Sequence, residues 1–158
     1  MFKSAPIARS CHRAAPLPAE ASAYQIDHIT LGWEDRVKTR ARRRSDSGFE
    51  FATALPRGTV LVAGDRLILD DAARVVEVRE LEEEVLVIRP GSPQEWALFA
   101  YHIGNSHQPM MIVEDAILCA ELLGMKQVLE FHGIPFVRER RAFTPIGLIP
   151  DHQHAVRA

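Results

Sequence analysis

A helix is predicted over the segment Ser92-Pro-Gln-Glu-Trp-Ala-Leu-Phe-Ala-Tyr-His-Ile-Gly-Asn105. Both ends of this helix carry residues that favour a helix start or a helix end. Its serine can cap the helix, the proline suits the first helical position, and Glu95 completes a capping box. Apolar residues recur at helical spacing to about Ile103 and predict a buried stripe: Trp96, Phe99, Ala100 and Ile103. The Gly-Asn pair then ends the helix, because both residue types tolerate a left-handed cap.

Strand patterns on both sides of this helix predict a ferredoxin-like domain. Val85–Ile88 precedes the helix, while Met110–Val113 and Ala116–Cys119 follow it as a predicted hairpin. A second helix is expected over 120–131 and a last strand over 134–138, since apolar residues recur at helical spacing: Leu122, Met125, Val128 and Leu129. The resulting β-α-β-β-α-β order is that of the split βαβ fold. We expect this domain to cover residues 89–145, with the strand before it opening the sheet.

The preceding residues, 26–88, predict a small β-rich domain. Short strand patterns alternate with turns at the spacing typical of a β-sandwich or barrel: 36–42, 49–55, 59–62, 66–69, 74–78 and 84–88. The fold class is therefore α+β. Residues 1–25 are rich in Ala, Pro and Ser and are expected to form a flexible extension, and residues 146–158 a mobile C-terminal tail.

Composition excludes several classes of protein. The chain is 47% hydrophobic and 25% charged, as soluble globular proteins are, and its formal net charge of −2 argues against a dedicated nucleic-acid binder. Its apolar runs are far shorter than the roughly 18–20 residues of a membrane helix. Cys11 and Cys119 form no disulfide framework, so we expect a reducing, cytoplasmic environment.

Seven histidines are the compositional feature that points to chemistry. Neutral imidazole is a good ligand for nickel, copper and zinc. His102 and His107 are separated by about 140° of helical rotation, so the two should not chelate one ion together. His152 and His154 would lie on one side of an extended tail and could chelate together. His132 precedes a glycine at a predicted helix end, where a favourable interaction with the helix dipole explains it.

One stretch of the chain resembles a known family closely. Tyr101-His-Ile-Gly-Asn-Ser-His107-Gln-Pro109 is similar to the Tyr/Trp-His-Leu-Gly-Asn-Arg-His-x-Pro signature of UreE, the urease accessory proteins. Leu55-Pro-Arg-Gly-Thr-Val-Leu61 and Phe143-Thr-Pro145 also resemble this family. The chain departs from the signature at Ser106, where the family has arginine. It also has no histidine in 120–123, where many relatives carry an Asp-His pair entering the second helix.

The resemblance implies a nickel metallochaperone rather than an enzyme. Members are homodimers with an N-terminal β domain, which would dock partners, and a ferredoxin-like C-terminal domain. They bind nickel and pass it to apo-urease together with the urease accessory GTPase complex, without nucleic acid or membrane. The interface ligand of the family falls on His107, and further metal ligands on the tail fall on His152 and His154. Zn²⁺ and Cu²⁺ are expected competitors for Ni²⁺.

Two other classes of function stay open at the level of sequence. A small metal-dependent enzyme could use His102 and His107, although it would need a carboxylate ligand and an open coordination position. A nucleic-acid-binding module could use the arginine-rich strand expected over 36–44. We see no candidate catalytic residues: the sequence offers no nucleophile–base pairing, phosphate loop or paired carboxylates.

Overall fold

The computed structural model describes residues 5–13, 16–122 and 124–146. It divides after Leu81 into two compact units. The division differs from the expected boundary after residue 88, because the strand Glu82–Ile88 pairs with strands of the second unit. Among the described helices, none is long and apolar enough to cross a membrane.

The first unit contains two β-sheets. A three-stranded sheet has the order β1-β5-β4, and a four-stranded sheet has the order β2-β6-β7-β3. The strands are β1 (Ile7–Ala8), β2 (Cys11–His12), β3 (Gln25–Leu31), β4 (Arg40–Arg44), β5 (Glu50–Ala54), β6 (Arg66–Leu69) and β7 (Arg74–Glu80). One apolar cluster draws on both sheets, with Phe51 and Ala8 from the first and Leu67 and Val76 from the second. This is the small β domain that the alternating sequence patterns predict.

The amino-terminal segment differs from the expected flexible extension over 1–25. Ile7–Ala8 pairs in parallel with β5, and Cys11–His12 pairs in antiparallel fashion with β6. Ala8 is fully buried, so this segment adds to the core. Strands of two residues are too short to show a period-2 pattern, which is why the sequence did not indicate them.

The basic run expected as a strand over 36–44 is divided between a helix and a shorter strand. Trp33–Arg36 forms the helical turn α1, and β4 begins only at Arg40. Arg36 is buried, and its guanidinium donates to the carbonyl of Leu61 and to the Glu80 carboxylate, at 3.1 and 3.0 Å. The strand expected over 59–62 is absent. In its place the backbone N–H of Leu61 donates to the Arg36 carbonyl, at 3.0 Å.

The second unit has the ferredoxin-like arrangement that the sequence predicts. Its elements are β8 (Glu82–Ile88), α2 (Pro93–Asn105), β9 (Met110–Val113), β10 (Ala116–Ala120), α3 (Met125–Phe131) and β11 (Val137–Ala142). The sheet order is β11-β8-β10-β9, and every neighbouring pair is antiparallel. Helices α2 and α3 bury Phe99, Ile103, Met125 and Leu129 in one cluster with β8 and β10.

Three boundaries in the second unit differ from expectation. Helix α2 continues to Asn105 rather than ending near Ile103. Helix α3 begins at Met125 rather than near residue 120, because β10 extends to Ala120 and Gly124 enters the helix at a φ of 97°. The last strand is 137–142 rather than 134–138, since Pro135 has no N–H to donate to a sheet.

Candidate metal centre

His107 lies just beyond the carboxyl end of α2. The helix starts as predicted, with the Ser92 side chain accepting from the N–H of Glu95 at 3.2 Å. At the other end Ser106 is the cap residue, and the N–H of His107 donates to the Gly104 carbonyl at 3.1 Å. His107 itself takes the left-handed φ of 54° that the sequence assigned to the Gly-Asn pair.

This conformation presents the His107 side chain to solvent. The residue is exposed, and its backbone is held by the last turn of a helix that is anchored in the core. Non-glycine residues rarely take a positive φ, although histidine does so more often than most. A rigid helix end therefore displays one accessible imidazole.

The chain returns to the neighbourhood of His107 after its last strand. Phe143 is fully buried, and the N–H of Thr144 donates to the sulfur of Met111 at 3.4 Å. The N–H of Ile146 then donates to the carbonyl of Met110 at 2.8 Å. The last described residue, Ile146, thus lies beside a residue only three positions after His107. His152 and His154, predicted as further ligands, lie outside the described residues.

His102 does not join His107 but packs against a different histidine. It stacks on His132, at the end of α3, with 3.8 Å between the ring centroids and 22° between the ring planes. Tyr101 and Phe131 each meet one ring of this pair edge-on. No common spacing in the sequence links His102 to His132, because the two residues belong to different helices.

The described residues contain no complete metal site. No group of three or more His, Cys, Asp or Glu side chains is placed to hold a metal ion within 5–13, 16–122 and 124–146. An enzyme using His102 and His107 would need such a set. A site at His107 must therefore draw ligands from the tail, from a second chain or from water.

Neither cysteine is suited to bind metal. Cys119 is fully buried, and burial raises the pKa of its thiol to about 12. Burial also raises the pKa of the Cys11 thiol, and the nearby Asp65 carboxylate adds to the rise. Both thiols are therefore harder to deprotonate than a free cysteine, and the thiolate is the form that binds metal.

Two arginines of the arginine-rich segment are used inside the first unit. Arg36 is buried, and Arg43 donates to Thr53 and to the carbonyls of Asp35 and Lys38. Arg44 is exposed but pairs with Glu50 at 2.6 Å. Arg40 and Arg42 are also exposed, and with Arg44 they alternate along β4, so these three side chains lie on one side of the strand. A nucleic-acid role for this segment therefore stays an alternative prediction.

Both halves of the chain match models of known protein domains. The UreE urease accessory protein N-terminal domain matches residues 7–79, and the C-terminal domain of the same protein matches residues 83–157. The chain belongs to the UreE family. The matched regions meet near the observed division after Leu81, and the second includes His107 together with the tail histidines.

Individual UreE proteins are similar over most of their length. The urease accessory protein UreE of Bacillus cereus is 31% identical over 129 residues, which cover 82% of this chain and 85% of that protein. The UreE proteins of Citrobacter koseri and a Chelativorans species are 35% and 37% identical, covering 88% and 77% of those proteins and 80% and 77% of this chain. These relatives are named as accessory proteins and not as enzymes, and the chain is an accessory protein of the same kind.

Proposed function

We propose that this UreE protein is a nickel metallochaperone that delivers Ni²⁺ to apo-urease during urease maturation, acting in the cytoplasm as a homodimer. The observation that carries the proposal is His107, an exposed imidazole held at the end of α2 beside the point where the C-terminal tail departs. The similar proteins are named urease accessory proteins, and this name indicates urease maturation as the cellular process.

A second copy of the chain completes the site in this proposal. One imidazole binds nickel weakly, but a two-fold axis near His107 would supply two. Helix α2, which ends just before His107, carries two large apolar side chains, Leu98 and Tyr101, which are 53% and 63% exposed. Residues three apart lie on one face of a helix. Burying this face against the same face of a partner would bring the two His107 side chains together.

The tail histidines lie within reach of this site. Ile146 is hydrogen-bonded at Met110, and His152 follows it by six residues. Six residues span at most about 20 Å when extended, which exceeds the distance that the three residues from Met110 to His107 can cover. His152 and His154 can therefore add imidazole ligands to His107.

The ligand set explains why nickel would be both bound and released. Nitrogen ligands suit Ni²⁺, with Zn²⁺ and Cu²⁺ as competitors, and no thiolate is available to close a permanent cage. A site that combines fixed His107 side chains with ligands from a tail can open when the tail moves away. Transfer to another protein requires such an opening.

In this proposal the two units have different functions. The second unit carries the metal and the dimer contact, because His107 and the apolar face of α2 belong to it. The first unit is left to dock partners, which we propose are the urease apoprotein and the urease accessory GTPase complex.

The test is a calorimetric titration of nickel into the purified protein. We expect one strong binding step per dimer in the parent, and loss of this step in His107→Ala. His12→Ala, in the first unit, is the matched control and should bind as the parent does. Equal binding by the parent and His107→Ala would overturn the proposed site.

A further inference from the structure

A second pair of imidazoles lies within each chain and does not include His107. His102 is in the last turn of α2, and His132 caps α3. Their rings are stacked with centroids 3.8 Å apart. His102 is partly buried and His132 is exposed, so the pair opens to solvent on one side.

The ring nitrogens of this pair are available to an ion. Neither ring makes a hydrogen bond or ion pair with any other residue in the described part of the chain. The charged side chains of α3, Lys126 and Glu130, form an ion pair with each other at 3.4 Å. The two imidazoles therefore keep their lone pairs free for a metal.

The local field favours a positive charge at the pair. Each histidine lies at the carboxyl end of its helix, where unpaired carbonyls create a partial negative charge. Two protonated imidazoles would repel each other at this separation, whereas one divalent cation between two neutral rings would not. The rings of Tyr101 and Phe131, 63% and 85% exposed, contact His102 and His132 edge-on.

A small rearrangement converts the stacked pair into a chelate. Two nitrogens bound to one metal at about 2.0–2.1 Å lie roughly 3 Å apart, and the present rings are already separated by little more. The two imidazole rings, whose planes are 22° apart, must rotate so that one nitrogen lone pair of each ring points at the same metal ion. The exposed His132 ring can make this turn because it is not held by the core.

We propose that His102 and His132 form a second metal site in each chain, which binds a divalent transition-metal ion such as Ni²⁺ or Cu²⁺ with water completing the coordination shell. The site needs neither a second chain nor the tail. It would hold one ion per chain, in contrast to the one ion per dimer proposed for His107. Two neutral nitrogen ligands and open positions make it a weaker and faster-exchanging site.

The test removes the other proposed ligands first. In a triple variant, His107→Ala with His152→Ala and His154→Ala, titration with Cu²⁺ or Ni²⁺ alone should still show one ion per chain. Adding His132→Ala should weaken this binding at least about tenfold, because chelation by the second imidazole is lost. Adding His12→Ala instead should leave it unchanged.

A spectroscopic reading separates a metal site from a packing contact. The Cu²⁺ complex of the triple variant should show hyperfine coupling to two nitrogens in its electron paramagnetic resonance spectrum, and to fewer after His132→Ala. Because His132 is exposed, its replacement should leave the melting temperature of the metal-free protein nearly unchanged. A triple variant that binds no ion, or that binds equally well without His132, would overturn the inference.

The two proposed sites fail in different ways. Loss of the strong nickel step in His107→Ala tests the interface site alone. Binding by the triple variant tests the His102–His132 pair alone. Either result can therefore be positive while the other is negative.

Discussion

At His107 the backbone is held at a φ of 54°, a value that costs a residue with a side chain more than it costs glycine. Helices commonly end with a glycine in this conformation. Glycine is absent here, although Gly104 lies only three positions earlier. An imidazole in a mildly strained position is consistent with selection for ligand chemistry over local stability.

We predict that His107→Gly stabilises the metal-free protein while removing its strong nickel step. Relief of the left-handed strain should raise the free energy of unfolding by about 0.5–1 kcal/mol. His107→Ala is the matched control, because it removes the same ligand without relieving the strain. Urea denaturation of the metal-free proteins measures the difference, and equal stability of the two variants would contradict the role assigned to the backbone.

At the scale of elements, one carboxylate ties together three segments of the first unit. Asp27 of β3 accepts from Ser45 at 2.6 Å, from Ser47, and from Arg74 of β7 at 2.8 Å. It also accepts from the N–H of His28 at 2.7 Å. Burial by itself would raise the pKa of Asp27, but these hydrogen bonds together hold it well below its ordinary value.

We predict that this network makes the first unit sensitive to acid. Because Asp27 has a lower pKa in the folded chain than in the unfolded chain, its contribution is complete at neutral pH. It is lost as the pH falls below the unfolded value of about 4 and through the lower folded value. Asp27→Asn should cost about 1–3 kcal/mol at pH 7 and flatten the dependence of stability on pH below about 5.

Thermal unfolding followed by circular dichroism between pH 3 and pH 7 measures this effect. Asp71→Asn is the control, because Asp71 is exposed and should leave the profile unchanged. An Asp27→Asn profile parallel to that of the parent over the whole range would show that the network does not control acid stability.

At the scale of the whole molecule, the proposed function depends on two chains meeting along α2. Leu98 and Tyr101 are the apolar side chains that would be buried on association. Nickel binding at His107 and dimer formation are thus linked in this proposal. A change that separates the two chains also leaves each site with only half of its ligands. Nickel should in turn favour the dimer, because it binds that state better.

We predict that Leu98→Glu yields a folded monomer without the strong nickel step. Glutamate is a good helix former, so α2 should persist, but a buried unpaired charge should cost the interface about 2 kcal/mol or more. Sedimentation analysis and nickel titration of the same sample give the two readings. Ile26→Glu, a change at a 60% exposed residue of β3, should remain dimeric. A dimeric Leu98→Glu protein would place the interface elsewhere.

Local patterns in the sequence predicted those features that depend on residues close together along the chain. The capping residues and apolar stripe of α2, the hairpin of β9 and β10 and the ferredoxin-like order are all present. The cap, the stripe and the hairpin depend on short-range spacing, and the ferredoxin-like order follows from the succession of such elements along the chain. A contiguous signature predicts His107 as a metal ligand, and the left-handed backbone that the sequence predicts for the Gly-Asn pair lies at His107 instead.

Only the tertiary structure decided which distant residues meet. In the folded chain Arg36 is buried against Leu61 and Glu80, and the amino-terminal segment pairs with β5 and β6. Ile146 is hydrogen-bonded to Met110, and His102 stacks on His132. Periodicity reports which face of an element is buried, but not which other element covers that face. The sequence alone therefore predicted most of the elements and named His107 as the candidate ligand, while the neighbours of each depended on long-range packing.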